Sequence, residues 1–389
     1  MKTRPAKDWE AALRNANVPA TMVQTTAEWL SDNTLNEAGV TIDLVDDEHG
    51  KVRQSGRVIS VEGRSTLSPE IRARRHEVTK AARWSSNRLE VSSVSPDLQK
   101  KPILDGIRVL DFSNIIAGPA TGRTLAEFGA DVVRSDSPAP QAGPFATMWF
   151  GVDVNQGKRA VILDLKTKDG KTALAELVKN ADVVLHNFLD SSAENIGIAH
   201  SQLTAINPDI ISCQIGAWSG AKGGAYKDDP AFDPVLQAAS GIMTRFGTEE
   251  KPVLHGIASC VDYMTGFLAV AGISQALISR EKGQGGSYVR TSLAMGAQLV
   301  QFPFMVATAR EQPGGEPSGQ FSVGAGLGQG LYELSDSWVY LGCRDGDEEK
   351  LTSTIKATEA TVSGVAAALR GMTSVSYTHL RAPETEAAL

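Results

Sequence analysis

The sequence is poor in cysteine, in histidine and in long apolar runs, and it carries no excess of positive charge. Its 389 residues contain three cysteines, Cys213, Cys260 and Cys343, none in a C-x-x-C pair. Three thiols build no disulfide framework, and a reducing, cytoplasmic setting fits them best. The six histidines are scattered and form neither H-x-x-x-H nor H-E-x-x-H, so no metal site is expected. A net charge of −7 argues against a nucleic-acid binder, because phosphates call for a basic surface. The most apolar stretch, 267–278, is interrupted by Gly272, Ser274 and Gln275 and falls short of the about 20 residues a bilayer requires. The first residues are basic with no apolar core behind them, so neither a signal peptide nor a membrane partner is expected.

What is present is the composition of a globular chain, 42% hydrophobic and 21% charged, with length enough for two or three domains. In residues 1–72, Trp9, Ala12, Leu13 and Ala16 recur at helical spacing, and VTIDLVDD, GKVRQSG and RVISVEG read as short strands. Residues 73–103 are polar and charged and read as a linker. Residues 104–305 alternate strand and helix. The strands are 107–112, 131–134, 159–165, 181–187 and 209–215, and helix patterns cover 119–128 and 168–180. Such alternation predicts an α/β fold with a parallel sheet covered on both faces. A long small-residue helix follows Asp262 and is closed by Gly283. Residues 306–372 hold a Gly-rich loop, SVGAGLGQG, a strand pair around WVYLGC and a final helix. In the tail, 373–389, SYTHLRAPET resembles translated sequencing-adapter read-through. The natural chain is therefore expected to depart from this one near Met372, the other reading being an ordinary disordered C-terminus.

The residues themselves leave several readings open. The first strand runs into Gly118, Pro119 and Gly122, which is either a tight strand-to-helix turn or a place where backbone approaches a phosphate. Asp136 ends the second strand where a dinucleotide fold has its ribose-binding acid, but the glycine spacing is not G-x-G-x-x-G. Lys158, Arg159 and Lys166 flank the third strand, either as a phosphate cluster or as a solvated strand edge. Asp262 reads as the N-cap of a helix beginning at Tyr263, a position compatible with chemistry on a bound substrate. His255 and Cys260 make a poor thiol–imidazole pair, and an inert cysteine is the better reading.

Taken in order, PILDGIRVLDFSNIIAGPATGRTLAEFGADVVR, NQGKRAVILDLKTKDGK with ADVVLHNF, NPDIISCQIGAWSG, DPAFDPVLQAASGIM and VDYMTGFLAVAGISQAL resemble the family III CoA-transferases, the formyl-CoA and carnitine transferase type. The likeness covers about 104–345. Residues 8–69 are similar to the family's C-terminal segment, placed here ahead of the opening strand. A tandem-duplicated transferase, of which this chain is an internal piece, accounts for that order, and a circular permutation is the other account. Either way the early segment would dock where a C-terminal one belongs.

The resemblance implies a large Rossmann-like domain and a smaller α+β domain in an interlocked-ring homodimer. It implies transfer of CoA from an acyl-CoA to a small carboxylic acid, with the CoA thioester as substrate and no permanently bound cofactor. The family's catalytic aspartate falls on Asp262, with Gly266 following, and an acidic neighbour on Asp233. CoA-binding positions fall on Asn114, Ile116, Ala117, Leu163 and Lys166, and a water-excluding glycine loop on Gly324, Gly326, Gly328 and Gln329. The family's acid before N-F is His186 here, and basic residues after it are Leu189 and Asn195. Racemases of the same family place a histidine where Phe232 stands, and an apolar ring is no general base. The remaining alternatives are a catalytically silent fragment, a racemase and a nicotinamide-dependent oxidoreductase resting on Asp136.

Overall fold

The computed structural model describes residues 4–46, 49–62, 101–138, 147–220, 222–256, 259–308, 324–344 and 346–381. The chain forms two compact units, 1–314 and 315–389. Most of the expected linker, 73–100, and the end of the tail, 382–389, lie outside the described residues.

The first unit opens with helices α1 (Ala6–Asn15), α2 (Thr26–Ser31) and α3 (Asn33–Ala38) and strands β1 (Thr41–Asp46), β2 (Gly50–Ser55) and β3 (Ser60–Val61). Thr25 and Glu28 cap α2 reciprocally, each bonding the other's backbone N–H. The α/β region then runs β4 (Arg108–Asp111), α4 (Ala117–Glu127), β5 (Asp131–Asp136), α5 (Thr147–Asp153), β6 (Arg159–Ile162), α6 (Lys168–Asn180) and β7 (Val183–His186). It continues with α7 (Asp190–Ile196), α8 (His200–Ile206), β8 (Ile211–Gly216), α9 (Asp233–Ser240), α10 (Ile242–Phe246), α11 (Cys260–Ser279), β9 (Ser287–Ser292), α12 (Leu293–Val300) and β10 (Val306–Thr308).

Seven strands make one sheet in the order β3-β9-β8-β7-β4-β5-β6. All pairs from β9 to β6 are parallel, and β3 is an antiparallel edge. Every residue of β7 is buried, as a central parallel strand covered on both faces requires. Helix α6 shows why a segment takes its place. The Thr167 hydroxyl accepts from the Gly170 N–H at 3.0 Å to start it, and Leu174 and Val178 turn its apolar stripe inward.

The N-terminal segment is part of this core. Trp29, Leu30, Leu35 and Val40 are buried in one cluster with Val109, Ile211, Leu236 and Ile273, and Trp29 lies 6.4 Å from the Trp218 ring. Gln298 donates to the Val40 carbonyl at 2.7 Å. Residues 306–308, read from sequence as part of the small domain, instead form β10 and pair with β2 in the first unit. The early segment thus supplies strands that β9 and β10 need as neighbours.

Helix α11 corrects two expectations. It begins at Cys260, with Ser259 at the cap position in a left-handed conformation (φ 39°), so Asp262 is the third helical residue and not the N-cap. With the π-helical turn Arg280–Gln284, in which Gly283 is left-handed, it is long and apolar enough to cross a membrane by length and composition. The glycines and serine that break the apolar run do not break the helix. It is the core helix here, with Val261, Leu268, Ala269, Ile273 and Ala276 buried.

The second unit holds an antiparallel sheet of β11 (Gly324–Gly326), β12 (Gln329–Glu333) and β13 (Trp338–Gly342), with α13 (Glu348–Thr354), α14 (Val362–Arg370) and α15 (Ser374–Arg381). Tyr332, Leu334, Leu341, Ile355, Val365 and Leu369 form its core. The Gly-rich stretch is a hairpin here, not an open loop, because Gly324 and Gly326 pair with Gly330 and Gln329. Part of the tail read as foreign is helical. The Ser374 N–H donates to Asp336 at 2.8 Å, and Tyr377 packs against the unit's core.

Candidate active site

The sheet order reverses between β4 and β7. From β4 the chain moves outward to β5 and β6, then returns to β7 on the other side. Loops leaving the two strands part there, and open parallel sheets bind ligands in that crevice. A cavity of about 310 Å3 occupies it, lined by Asn114, Ile116, Ala117, Asn187, Gly216 and Asp262 among others. A reciprocal amide pair fixes the turn after β4. The Asn114 N–H donates to Asn187 Oδ1 at 2.9 Å, and Asn187 Nδ2 donates to the Asn114 carbonyl at 2.8 Å. Between Asn114 and Ile116, Ile115 is held at φ 72°, a strained conformation for a β-branched residue.

Asp262 reaches this cavity because α11 packs closely on α4. A Cβ on Gly266 would lie 2.8 Å from the Ala117 carbonyl, so only glycine permits the approach. Thr121 Oγ1 donates across the contact to the Gly266 carbonyl at 3.1 Å.

Asp233, at the start of α9, is the true cap of α11. Its Oδ2 accepts the N–H groups of Val261 at 2.8 Å and Asp262 at 3.1 Å, and Gln237 Nε2 donates to its other oxygen. Gln237 is held in turn by the His255 backbone. The two carboxyls therefore differ. Burial pushes Asp233 up, and its three hydrogen bonds oppose that rise without cancelling it. Asp262 is 8% exposed, and its carboxyl accepts no hydrogen bond from the described residues. Burial first, and then the Asp233 charge, push it up to about 8. The two acids thus differ in their surroundings, one held by three donors and the other a buried, basic carboxyl that accepts none from the described residues.

The structure brings Asn114, Ile116, Ala117 and Asp262 together at the cavity, with Asp233 directly behind Asp262. Within the first unit, Leu163 and Lys166 lie away from the cavity. Leu163 packs in a separate cluster with Leu110 and Val178, and Lys166 is exposed after β6. Gly326, Gly328 and Gln329 belong to the second unit, where Gln329 Nε2 donates to the Cys343 carbonyl at 3.3 Å. Two members of the basic cluster are engaged structurally. Lys158 makes a fully buried ion pair with Asp111 at 2.7 Å, and Arg159 pairs with Asp131 at 2.6 Å. Asp136 is engaged by Arg134 through both carboxylate oxygens, which removes the residue on which a nicotinamide reading rested. Cys260 is pushed up to about 11 by burial, in keeping with an inert thiol. His186 is buried against Phe188 and pushed down to about 4. Among the described residues lining the cavity there is no histidine, and Phe232 stands beside Asp233.

Sequence reasoning missed Asn187, Asp190, Gln214, Lys227 and Arg290, all of which line the cavity. Only Asn187 had a signal, the N-F pair after β7. Gln214 and Arg290 meet through the β8–β9 register, which no local pattern displays.

Residues 104–370 match the CoA-transferase family III. The chain is 28% identical over 356 residues to the CoA-transferase/lyase DddD of Marinomonas sp. (strain MWYL1), a match covering 90% of this chain and 42% of that protein. It is 34% identical over 197 residues to a formyl-CoA:oxalate CoA-transferase of Streptomyces avermitilis, covering 49% of this chain and 47% of that one. The crystal structure of a CAIB/BAIF family protein from Brucella suis superposes with a TM-score of 0.58 at 25% identity, over 72% of this chain and 82% of that chain. The chain spans about half the length of the curated relatives it matches. With the parallel sheet, the crevice at its switch point and the family match over 104–370, this chain belongs to the CoA-transferase family III.

Proposed function

We propose that the chain transfers CoA from an acyl-CoA to a small carboxylic acid, with Asp262 as the covalent carrier. One observation carries this reading. A buried carboxyl that accepts no hydrogen bond from the described residues faces the switch-point cavity, backed by a second carboxyl that caps its helix. The Asp262 carboxylate attacks the acyl carbonyl, the carbon–sulfur bond breaks, and CoA thiolate leaves a mixed anhydride. The thiolate attacks the Asp262 γ-carbon and releases the donor acid, giving an aspartyl-CoA thioester. The acceptor carboxylate attacks that carbon, a second anhydride forms, and the thiolate takes its acyl group and frees Asp262. No proton is gained or lost overall. Splitting the exchange this way suits a basic nucleophile, and burial of Asp262 keeps water from the reactive intermediates.

The partners in this reading are an acyl-CoA, a carboxylic acid and a second copy of the chain, in a cytoplasmic setting without nucleic acid or membrane. CoA is a substrate here, not a resident cofactor. Residues 8–69 correspond to the C-terminal region of an upstream copy, and their described part supplies core residues and strands to the first unit. In support, a match to 90% of the chain cannot fit within 104–389, so that relative shares the order of early segment and transferase region.

The reading is tested by incubating the protein with acetyl-, succinyl- and formyl-CoA against oxalate, succinate, glutarate and malate, and separating the CoA esters by chromatography. A new ester that is absent with Asp262→Ala supports it. No exchange from folded protein would favour a silent fragment. Because the relative sharing most of the chain is named a CoA-transferase/lyase, the chromatogram is also read for elimination products.

A further inference from the structure

We infer that Arg290 recognises the second, non-reacting carboxylate of a dicarboxylic acid acceptor, an inference that rests on the CoA-transfer reading above. Arg290 lies on β9, in register with Gln214 of β8, and lines the same cavity as Asp262. Its side chain is 21% exposed, and its one ion pair among the described residues, to Glu62, is long at 3.7 Å. The guanidinium sits 5.5 Å from the Tyr288 ring, which limits its motion. It donates no hydrogen bond to any described residue, so a planar fork of N–H donors is left for a ligand.

The surrounding groups show what that ligand is. Gln214 Nε2 donates to Asp190 at 2.7 Å and to the Phe188 carbonyl at 3.0 Å, and Tyr288 donates to Gln214 Oε1 at 2.5 Å. These neighbours satisfy one another and leave Arg290 out. The charged groups of the cavity are Asp190, Asp262, Lys227 and Arg290, and Lys227 is exposed at the rim. An acid entering the chamber after Asp262 has become a thioester meets the Asp190 carboxylate, and Arg290 is the half-buried cation that offsets it. CoA carries its phosphates at the far end of the pantetheine arm from the thioester, so a cation in the chamber of Asp262 is poorly placed for them. A carboxylate matches the guanidinium fork in shape and charge.

The test separates the two half-reactions. Protein is loaded with acetyl-CoA, whose acyl group has no second carboxylate for Arg290 to hold, to form the aspartyl-CoA thioester, freed of excess donor, and discharged by succinate or by hydroxylamine, which is uncharged. Arg290→Gln is expected to load normally and to discharge to hydroxylamine at the wild-type rate. The succinate concentration for half-maximal discharge is expected to rise roughly 10- to 100-fold. Arg290→Lys keeps the charge without the fork and is expected to fall between; it also serves the comparison should the glutamine variant not fold. Unchanged succinate dependence in a loaded variant overturns the inference, and so does slowed loading with normal discharge, which would place Arg290 on CoA. A wild-type protein that never loads refutes the transfer reading and this inference with it.

Discussion

Replacing Asp262 by asparagine is expected to stabilise the protein, and increasingly so as the pH rises. The Asp262 carboxyl stands at about 8 in the folded chain against an ordinary 3.8. A folded-state value above the unfolded one favours folding while the group is protonated, and that advantage is lost as pH rises towards the folded value. Between about pH 4 and pH 8 each pH unit therefore removes about 1.4 kcal/mol from wild-type stability. Carried over the whole window this sets a ceiling of about 6 kcal/mol, and solvent relaxation around a real carboxylate reduces it, so about 2–3 kcal/mol is expected near pH 8. The amide is neutral throughout and escapes the loss. Because groups remote from Asp262 titrate alike in both proteins, the difference between their urea unfolding free energies from pH 4 to pH 9 reports Asp262 together with its coupling to Asp233. The difference should be near zero at pH 4, grow to pH 8 and then level. A difference that is flat with pH, or an asparagine variant less stable than wild type at pH 8, would refute the reasoning.

Three further changes probe the supports. Asp233→Asn removes the charge that helps raise Asp262, so the acidic limb of the pH profile for loading should move to lower pH, and the weakened helix cap should cost about 1–2 kcal/mol in urea unfolding. Lys158→Met leaves Asp111 buried without its partner and should cost about 3–5 kcal/mol of stability, while the KM for acyl-CoA in the folded fraction stays unchanged. Trp29→Ala empties a core position supplied by the N-terminal segment and should cost about 3–5 kcal/mol, read from the urea transition of the first unit.

Much of the α/β region was legible because strands β4 to β8 are short Val/Ile-rich runs bounded by turns, and parallel pairing buries them on both faces. Strand β9 was not, since SYVRTS is half polar and follows a glycine turn directly; its pairing with β8 and β3 makes it a strand. The same non-locality governs the site. Asp262 and Gly266 were marked by family resemblance, and the close contact with Ala117 shows why a glycine stands there. The cap of α11 comes from Asp233, 29 residues earlier in the chain, so a local capping rule assigned it to the wrong residue. Lys158 looked like a phosphate ligand because its counter-ion, Asp111, is 47 residues away in sequence. Arg290 and Gln214 became neighbours only through sheet register.

The most direct measurement is the mass of the Asp262 peptide after rapid acid quench of the protein with an acyl-CoA. The account predicts an acyl or CoA adduct confined to Asp262, formed in wild type and Arg290→Gln and absent in Asp262→Ala. Folded protein that turns over acyl-CoA without an adduct there, or with the adduct on another residue such as Cys260, would contradict it.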